Sequence, residues 1–144
     1  MTSPAYLFDT DAISELLRPR PLQAYLDWLG TIPREGQFTS AVTVGELFKG
    51  AYRSAAKERH LKNIEERVLP AVTTLPYDVS VARVFGRMRA DLERSENILA
   101  DADLQIAATA LYHDLELVTG NPRHFERIPN LRLNRLLAEA RTAD

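Results

Sequence analysis

Short apolar runs of strand length alternate along this chain with stretches in which apolar residues recur at helical spacing. That alternation constrains the fold more than any other feature. Residues 5–8 form an apolar run ending at Asp9 and read as a buried first strand. A short helix capped by Asp11 follows to about residue 17, where Pro19 and Pro21 stop it. Leu22, Tyr25, Leu26 and Leu29 mark a second helix, and residues 36–42 a second strand. Thr43 then opens a helix carrying Val44, Leu47, Phe48, Ala51, Tyr52 and Ala55 on one side. Leu61, Ile64, Val68 and Val72 mark another helix, disturbed at its end by Pro70. Residues 73–76, 115–119 and 131–133 read as the remaining strands. Between them lie a helix capped by Asp78 or Ser80 and an alanine-rich helix over residues 102–113. The alternation predicts an α/β domain with a largely parallel sheet between helices. At 144 residues the chain has room for one domain, here residues 1–134, followed by a charged tail over 135–144 that is a helix or a frayed end.

The chain has no cysteine, which excludes disulfides, thiolate zinc sites and cysteine nucleophiles, and suits the cytoplasm. Met1-Thr2-Ser3-Pro4 lacks a basic region leading into an apolar run, so no signal peptide is expected. No apolar stretch reaches the ~18–20 residues of a membrane span. The formal net charge is −2, which does not favour a surface dedicated to nucleic acid. The basic residues are concentrated, however: Arg18, Arg20 and Arg34, then Lys49, Arg53, Lys57, Arg59 and Lys62. Such a pattern suits a phosphate backbone and equally a solvated helix face.

Ligands of open α/β sheets bind beyond the carboxyl ends of the strands, and three acidic residues fall near such ends or the helix starts that follow: Asp9, Glu46 and Asp103. Each has a second reading as a helix-capping group. Asp9 precedes Thr10 and Asp11. Thr43 and Glu46 have the spacing of a capping box, and Asp103 suits a first helical turn. Asp103 differs because Leu99, Ile106, Ala107 and Ala110 lie within about 60° of it at 3.6 residues per turn. A carboxylate on an apolar face is costly unless a cation or another acid compensates it. Asp101 falls on the opposite side, or caps the helix.

Four segments resemble the motifs of PIN-domain ribonucleases of the VapC toxin type, in family order. They are Leu7-Phe8-Asp9-Thr10-Asp11-Ala12-Ile13-Ser14-Glu15-Leu16; Thr43-Val44-Gly45-Glu46-Leu47 with Lys49-Gly50; Asp103-Leu104-Gln105-Ile106-Ala107-Ala108-Thr109-Ala110-Leu111; and Leu117-Val118-Thr119-Gly120-Asn121-Pro122-Arg123-His124-Phe125. The resemblance runs from about Tyr6 to Leu133 and implies a three-layer PIN-like fold. It carries over Asp9, Glu46 and Asp103 as catalytic and metal-binding residues, with Thr10, Thr119, Asn121 and Asp101 secondary. Many PIN domains carry Asp where this chain has Asn121, a departure that bears on a second metal site.

Carboxylates without Cys suit Mg²⁺ or Mn²⁺, and the family implies hydrolysis of RNA by in-line attack of water. It also implies a VapB-type antitoxin whose tail covers the site, and a homodimer. The apolar spacing of Leu22, Tyr25, Leu26 and Leu29, with Trp28, offers either docking surface or core. Histidine chemistry is not favoured: His60 and His113 sit in helical stretches, and His124, beside the fourth motif, is placed for substrate contact rather than catalysis. No Gly-rich phosphate loop or Gly-x-Ser-x-Gly occurs. A phosphoacceptor receiver domain needs a lysine near its last strand, and the last lysine here is Lys62. The remaining alternative is a PIN-like module that binds RNA or protein without cutting.

Overall fold

Crossover connections force strands separated by helices to run parallel, and they do so here. The computed structural model describes residues 3–97 and 99–143. Its strands are β1 (Tyr6–Phe8), β2 (Gln37–Ser40), β3 (Thr73–Leu75), β4 (Glu116–Val118) and β5 (Leu133–Asn134). They form one all-parallel sheet in the order β3-β2-β1-β4-β5. The helices are α1 (Thr10–Leu16), α2 (Gln23–Leu29), α3 (Ala41–Arg53), α4 (Lys57–Asn63), α5 (Val79–Arg94), α6 (Asp101–Tyr112) and α7 (Leu136–Thr142).

Side chains alternate across a strand, so adjacent residues of β1 and β4 feed different cores. Leu7 and Leu117 pack with Val81, Met88 and Leu92 of α5 and with Leu104 and Ala107 of α6. Phe8 and Val118 pack on the other side with Ala12 and Ile13 of α1, Tyr25 of α2, Leu47 and Ala51 of α3, and Leu137 of α7. Three layers result, as expected. The apolar spacing on α2 serves this second core: Tyr25 is fully buried, and Leu22, Trp28 and Leu29 pack partly against it.

Local boundaries differ from the sequence reading in instructive ways. Asp9, rather than Asp11, caps α1, its carboxylate accepting from the Ala12 amide at 2.8 Å. The second strand stops at Ser40, because the Ser40 hydroxyl caps α3 by accepting from the Thr43 amide at 3.0 Å. Thr43 therefore lies inside the helix and the capping box with Glu46 does not form. The helix expected from Leu61 to Val72 is present but ends at Val68: α4 passes into a π-helix over Ile64–Val68, with the Leu69 amide donating to the Ile64 carbonyl at 3.0 Å. The charged tail is helical and docked, with Leu137 fully buried.

Strand order reverses at β1, which has β2 on one side and β4 on the other. In this topology the switch point opens a crevice at the carboxyl ends of the strands. Phe8 is in register with Val118, so the next residues, Asp9 and Thr119, enter that crevice side by side.

The Tyr25 hydroxyl donates to the Ala12 carbonyl at 2.9 Å in a fully buried setting, tying α2 to the helix that Asp9 caps. Burial raises this phenol well above its ordinary range, so it stays a donor. Replacing it by Tyr25→Phe should cost about 0.5–1.5 kcal/mol and lower Tm by roughly 2–5 °C. Thermal denaturation checks this, and an unchanged Tm would mean the bond adds nothing to the α1–α2 joint.

Candidate active site

Asp9, Thr10, Glu46, Asp103, Thr119 and Asn121 line one open cleft of ≈ 510 Å³ at the switch point, together with Asp11, Ser14, Gly120, His124, Phe125 and Arg141. A separate groove of ≈ 310 Å³ shares Thr10, Ser14 and Glu46 and adds Arg18, the one early arginine that reaches the neighbourhood of the acids. Of the other basic residues, Arg34 is engaged on the Thr73 hydroxyl at 2.7 Å, and Lys57 pairs with Glu58 at 3.9 Å.

Two of the three carboxylates are held by hydrogen bonds. Asp9 is 5% exposed and takes the Ala12 amide, with Thr119 beside it across the sheet. Thr119, fully buried, in turn accepts from the Asn121 amide at 3.0 Å. Glu46, freed from the capping box, accepts from the Thr10 hydroxyl at 2.5 Å. Asp103 lies in the first turn of α6, its side chain 31% exposed, with His124 Nδ1 3.6 Å from one oxygen. It is thus half-buried at the cleft rather than buried on the apolar face. Asn121 Nδ2 lies 3.0 Å from His124 Nε2; donation there leaves the ring proton on Nδ1, facing Asp103. Asp101 stands apart, 75% exposed and paired with Arg89 at 2.6 Å.

The electrostatics follow from burial. Desolvation pushes the Asp9 carboxyl up to about 7, the charges of Asp11 and Asp103 adding to it, while the Thr119 and Ala12 hydrogen bonds oppose it. Asp103 is raised as well, by burial first, with Glu46 adding to the shift and His124 opposing it. Among the described residues no three His, Asp or Glu side chains are gathered closely enough to ligate one ion directly. A donor set dominated by carboxylate and hydroxyl oxygen around an open cleft fits a hard divalent cation that keeps several of its waters.

The sequence offers no reason to place Asp11 or Arg141 in the cleft, and offers His124 for substrate contact alone. His124 had a signal, its place in the fourth motif. Arg141 had none, standing 130 residues from the Asp11 it contacts.

Comparison with known proteins bears on what this cleft does. The PIN domain family matches residues 6–131. Ribonuclease VapC2 of Haemophilus influenzae is 33% identical over 127 residues, 88% of this chain and 94% of that protein. Toxin FitB of Neisseria gonorrhoeae is 36% identical over 83% of this chain and 89% of its own length. Among solved structures, DNA-bound VapBC from Salmonella typhimurium contains a chain that aligns with a TM-score of 0.85 at 30% identity, over 92% of this chain and 98% of that one.

Asp9 gives the site a pH signature. Its folded-state carboxyl titrates near 7, above its ordinary value of 3.8. The contribution of the neutral form to stability is therefore complete below about pH 4 and is lost as pH rises through 7. In chelator, Asp9→Asn should be more stable than the parent at pH 8 and lose that advantage at pH 4. Thermal denaturation across that range is the measurement; parallel pH profiles would mean Asp9 is not held in this way.

Proposed function

The chain belongs to the PIN-domain family, and on that premise we propose that its acidic cleft hydrolyses RNA phosphodiester bonds as the toxin half of a toxin–antitoxin pair. One observation carries the reading. Three carboxylates from three separate segments, Asp9 after β1, Glu46 on α3 and Asp103 on α6, line a single open cleft at the switch point of the sheet. The enzyme is a divalent-metal-dependent endoribonuclease, and Mg²⁺ or Mn²⁺ is the ion its oxygen donors suit.

Asp9, Glu46 and Asp103 would hold the ion, directly or through water. When bound, a divalent cation supplies Lewis acidity toward the phosphodiester and toward water, and charge stabilisation for the leaving oxygen. The chain's own residues do the rest. The Ala12 amide fixes Asp9, the Thr10 hydroxyl orients Glu46, and His124, in contact with Asn121, stands 3.6 Å from Asp103. Such fixed orientation is what positions an attacking water in line with the bond to be broken. RNA, as a polyanion, enters this cleft only once its acidic charge is balanced.

The antitoxin is a VapB-type protein, in keeping with the VapBC assembly whose toxin chain this fold matches. An arginine from such a partner is chemically suited to the exposed carboxylates, because its planar fork pairs with them bidentately. No described helix is long and apolar enough to cross a membrane. A cytoplasmic homodimer completes the proposal.

Asp103→Asn should abolish Mg²⁺- or Mn²⁺-stimulated cleavage of RNA, whereas Asp101→Asn should retain most of it, since Asp101 faces Arg89 outside the cleft. Equal loss in two folded variants would sink the assignment of Asp103. In cells, expression of the chain alone should arrest growth, and co-expression of the antitoxin or the change Asp9→Asn should relieve it. Arrest persisting in soluble Asp9→Asn protein would favour the non-catalytic, RNA- or protein-binding alternative.

A further inference from the structure

One guanidinium lies in the wall of the acidic cleft, and it comes from α7, beyond the segment that the family match covers. Arg141 donates through Nη1 to Asp11 Oδ2 at 2.7 Å and through Nη2 to Asp11 Oδ1 at 3.1 Å. The same Nη2 reaches Glu15 Oε1 at 3.0 Å. Glu15 is 1% exposed, and its second oxygen accepts from the Leu22 amide at 3.1 Å. Asp11 and Glu15 lie on the helix that Asp9 caps. On its other side the guanidinium lies against the loop after β4: a Cβ at Gly120 would collide with Arg141 Nη1 and Asp11 Oδ2. Gly120 is flanked by Thr119, which lies beside Asp9 across the sheet, and by Asn121, whose Nδ2 lies 3.0 Å from His124 Nε2. The glycine has no positive φ, so close approach of this pair is what the position requires. Arg141 therefore bridges the two segments that carry Asp9, Thr119 and Asn121, and α7 is anchored behind it by the fully buried Leu137.

We propose that Arg141 is a positioning residue of the acidic site, acting through Asp11 to hold the α1 N-terminus against the Thr119–Asn121 loop. The proposal rests on the reading of the cleft as a divalent-metal ribonuclease site. It extends that site to a helix outside the matched family segment. A charge–fork contact of this kind is directional: the change Arg141→Lys would keep the charge but lose the two-pronged grip on Asp11.

Two readouts on the full chain test it: Mn²⁺ affinity by calorimetry, and kcat and KM for cleavage of a single-stranded RNA oligonucleotide. Arg141→Gln should weaken Mn²⁺ binding or lower kcat by about 10–100-fold, the usual cost of removing an outer-shell partner, with KM within about twofold. Arg141→Lys should restore folding stability more fully than it restores kcat. Gly120→Ala, which displaces the pair without removing a charge, should reproduce the loss. The double variant Asp11→Asn/Arg141→Gln should be no worse than Arg141→Gln alone, as for two residues acting as one unit. Additive losses, or a rise in KM with kcat intact, would overturn the positioning role in favour of direct contact with substrate. Unchanged Mn²⁺ affinity and kcat in folded Arg141→Gln would overturn it outright. Should that variant not fold, the same result in Arg141→Lys and Gly120→Ala together does so. A parent that binds Mn²⁺ but cleaves no RNA would sink the ribonuclease reading, while the Mn²⁺ affinities would still decide this one.

Discussion

A carboxylate 5% exposed at the end of a central strand has to be compensated, and the compensation of Asp9 organises the functional end of this molecule. Its first compensation is local: the Ala12 amide, one of the orphan donors at the start of α1, satisfies one oxygen. The second comes from across the sheet, where parallel register sets Thr119 beside it. Neither cancels the desolvation, and the carboxyl stays raised. A buried acid that is capped and still raised would be favoured in its charged form by the cation of the proposed function. Cap and metal-site candidate are thus one side chain in two roles, and the choice between those roles that the sequence posed does not arise.

The rest of the cleft keeps like charges from collapsing onto one another. Glu46 leans on Thr10, Asp103 on His124, and Asp11 with Glu15 on Arg141. Thr10 follows Asp9 directly and His124 lies three residues after Asn121, so two of these contacts also join the segments that carry the acids. The spacing that results leaves room for water between acids and ion, as magnesium-like cations prefer.

The strand–helix alternation was legible because burial on both faces of a parallel sheet writes itself as short apolar runs such as residues 115–119. Asp103 was legible as an acid among alanines and leucines, and Asp101 as its outward neighbour. What escaped were choices between near-equivalent polar groups. Ser40 and Thr43 are both good caps three residues apart, and only the end of β2 decides between them; Asp9 and Asp11 pose the same problem at α1. The change from α to π winding at Ile64–Val68 left no mark on the apolar period, since the wider closure keeps Ile64 and Val68 on one side. Arg141 escaped for a different reason. Its partners are 126 and 130 residues away, and nothing local to the charged tail distinguishes it from a solvated basic residue.

These long-range contacts bear on how a chain with net charge −2 handles a polyanion. Gathering Asp9, Asp11, Glu46 and Asp103 at one crevice concentrates acidic side chains where, on the proposed function, RNA would bind. Electrostatic attraction cannot steer a phosphate backbone there unaided. Arg141 offsets one of the acids, Asp11, and leaves Asp9, Glu46 and Asp103 without a permanent cation among the described residues. On the proposed function a divalent ion would balance the charge that remains. The same three carboxylates would then govern both the ion and the admission of RNA, and an antitoxin side chain that carried positive charge to them would satisfy the acids while leaving no room for substrate.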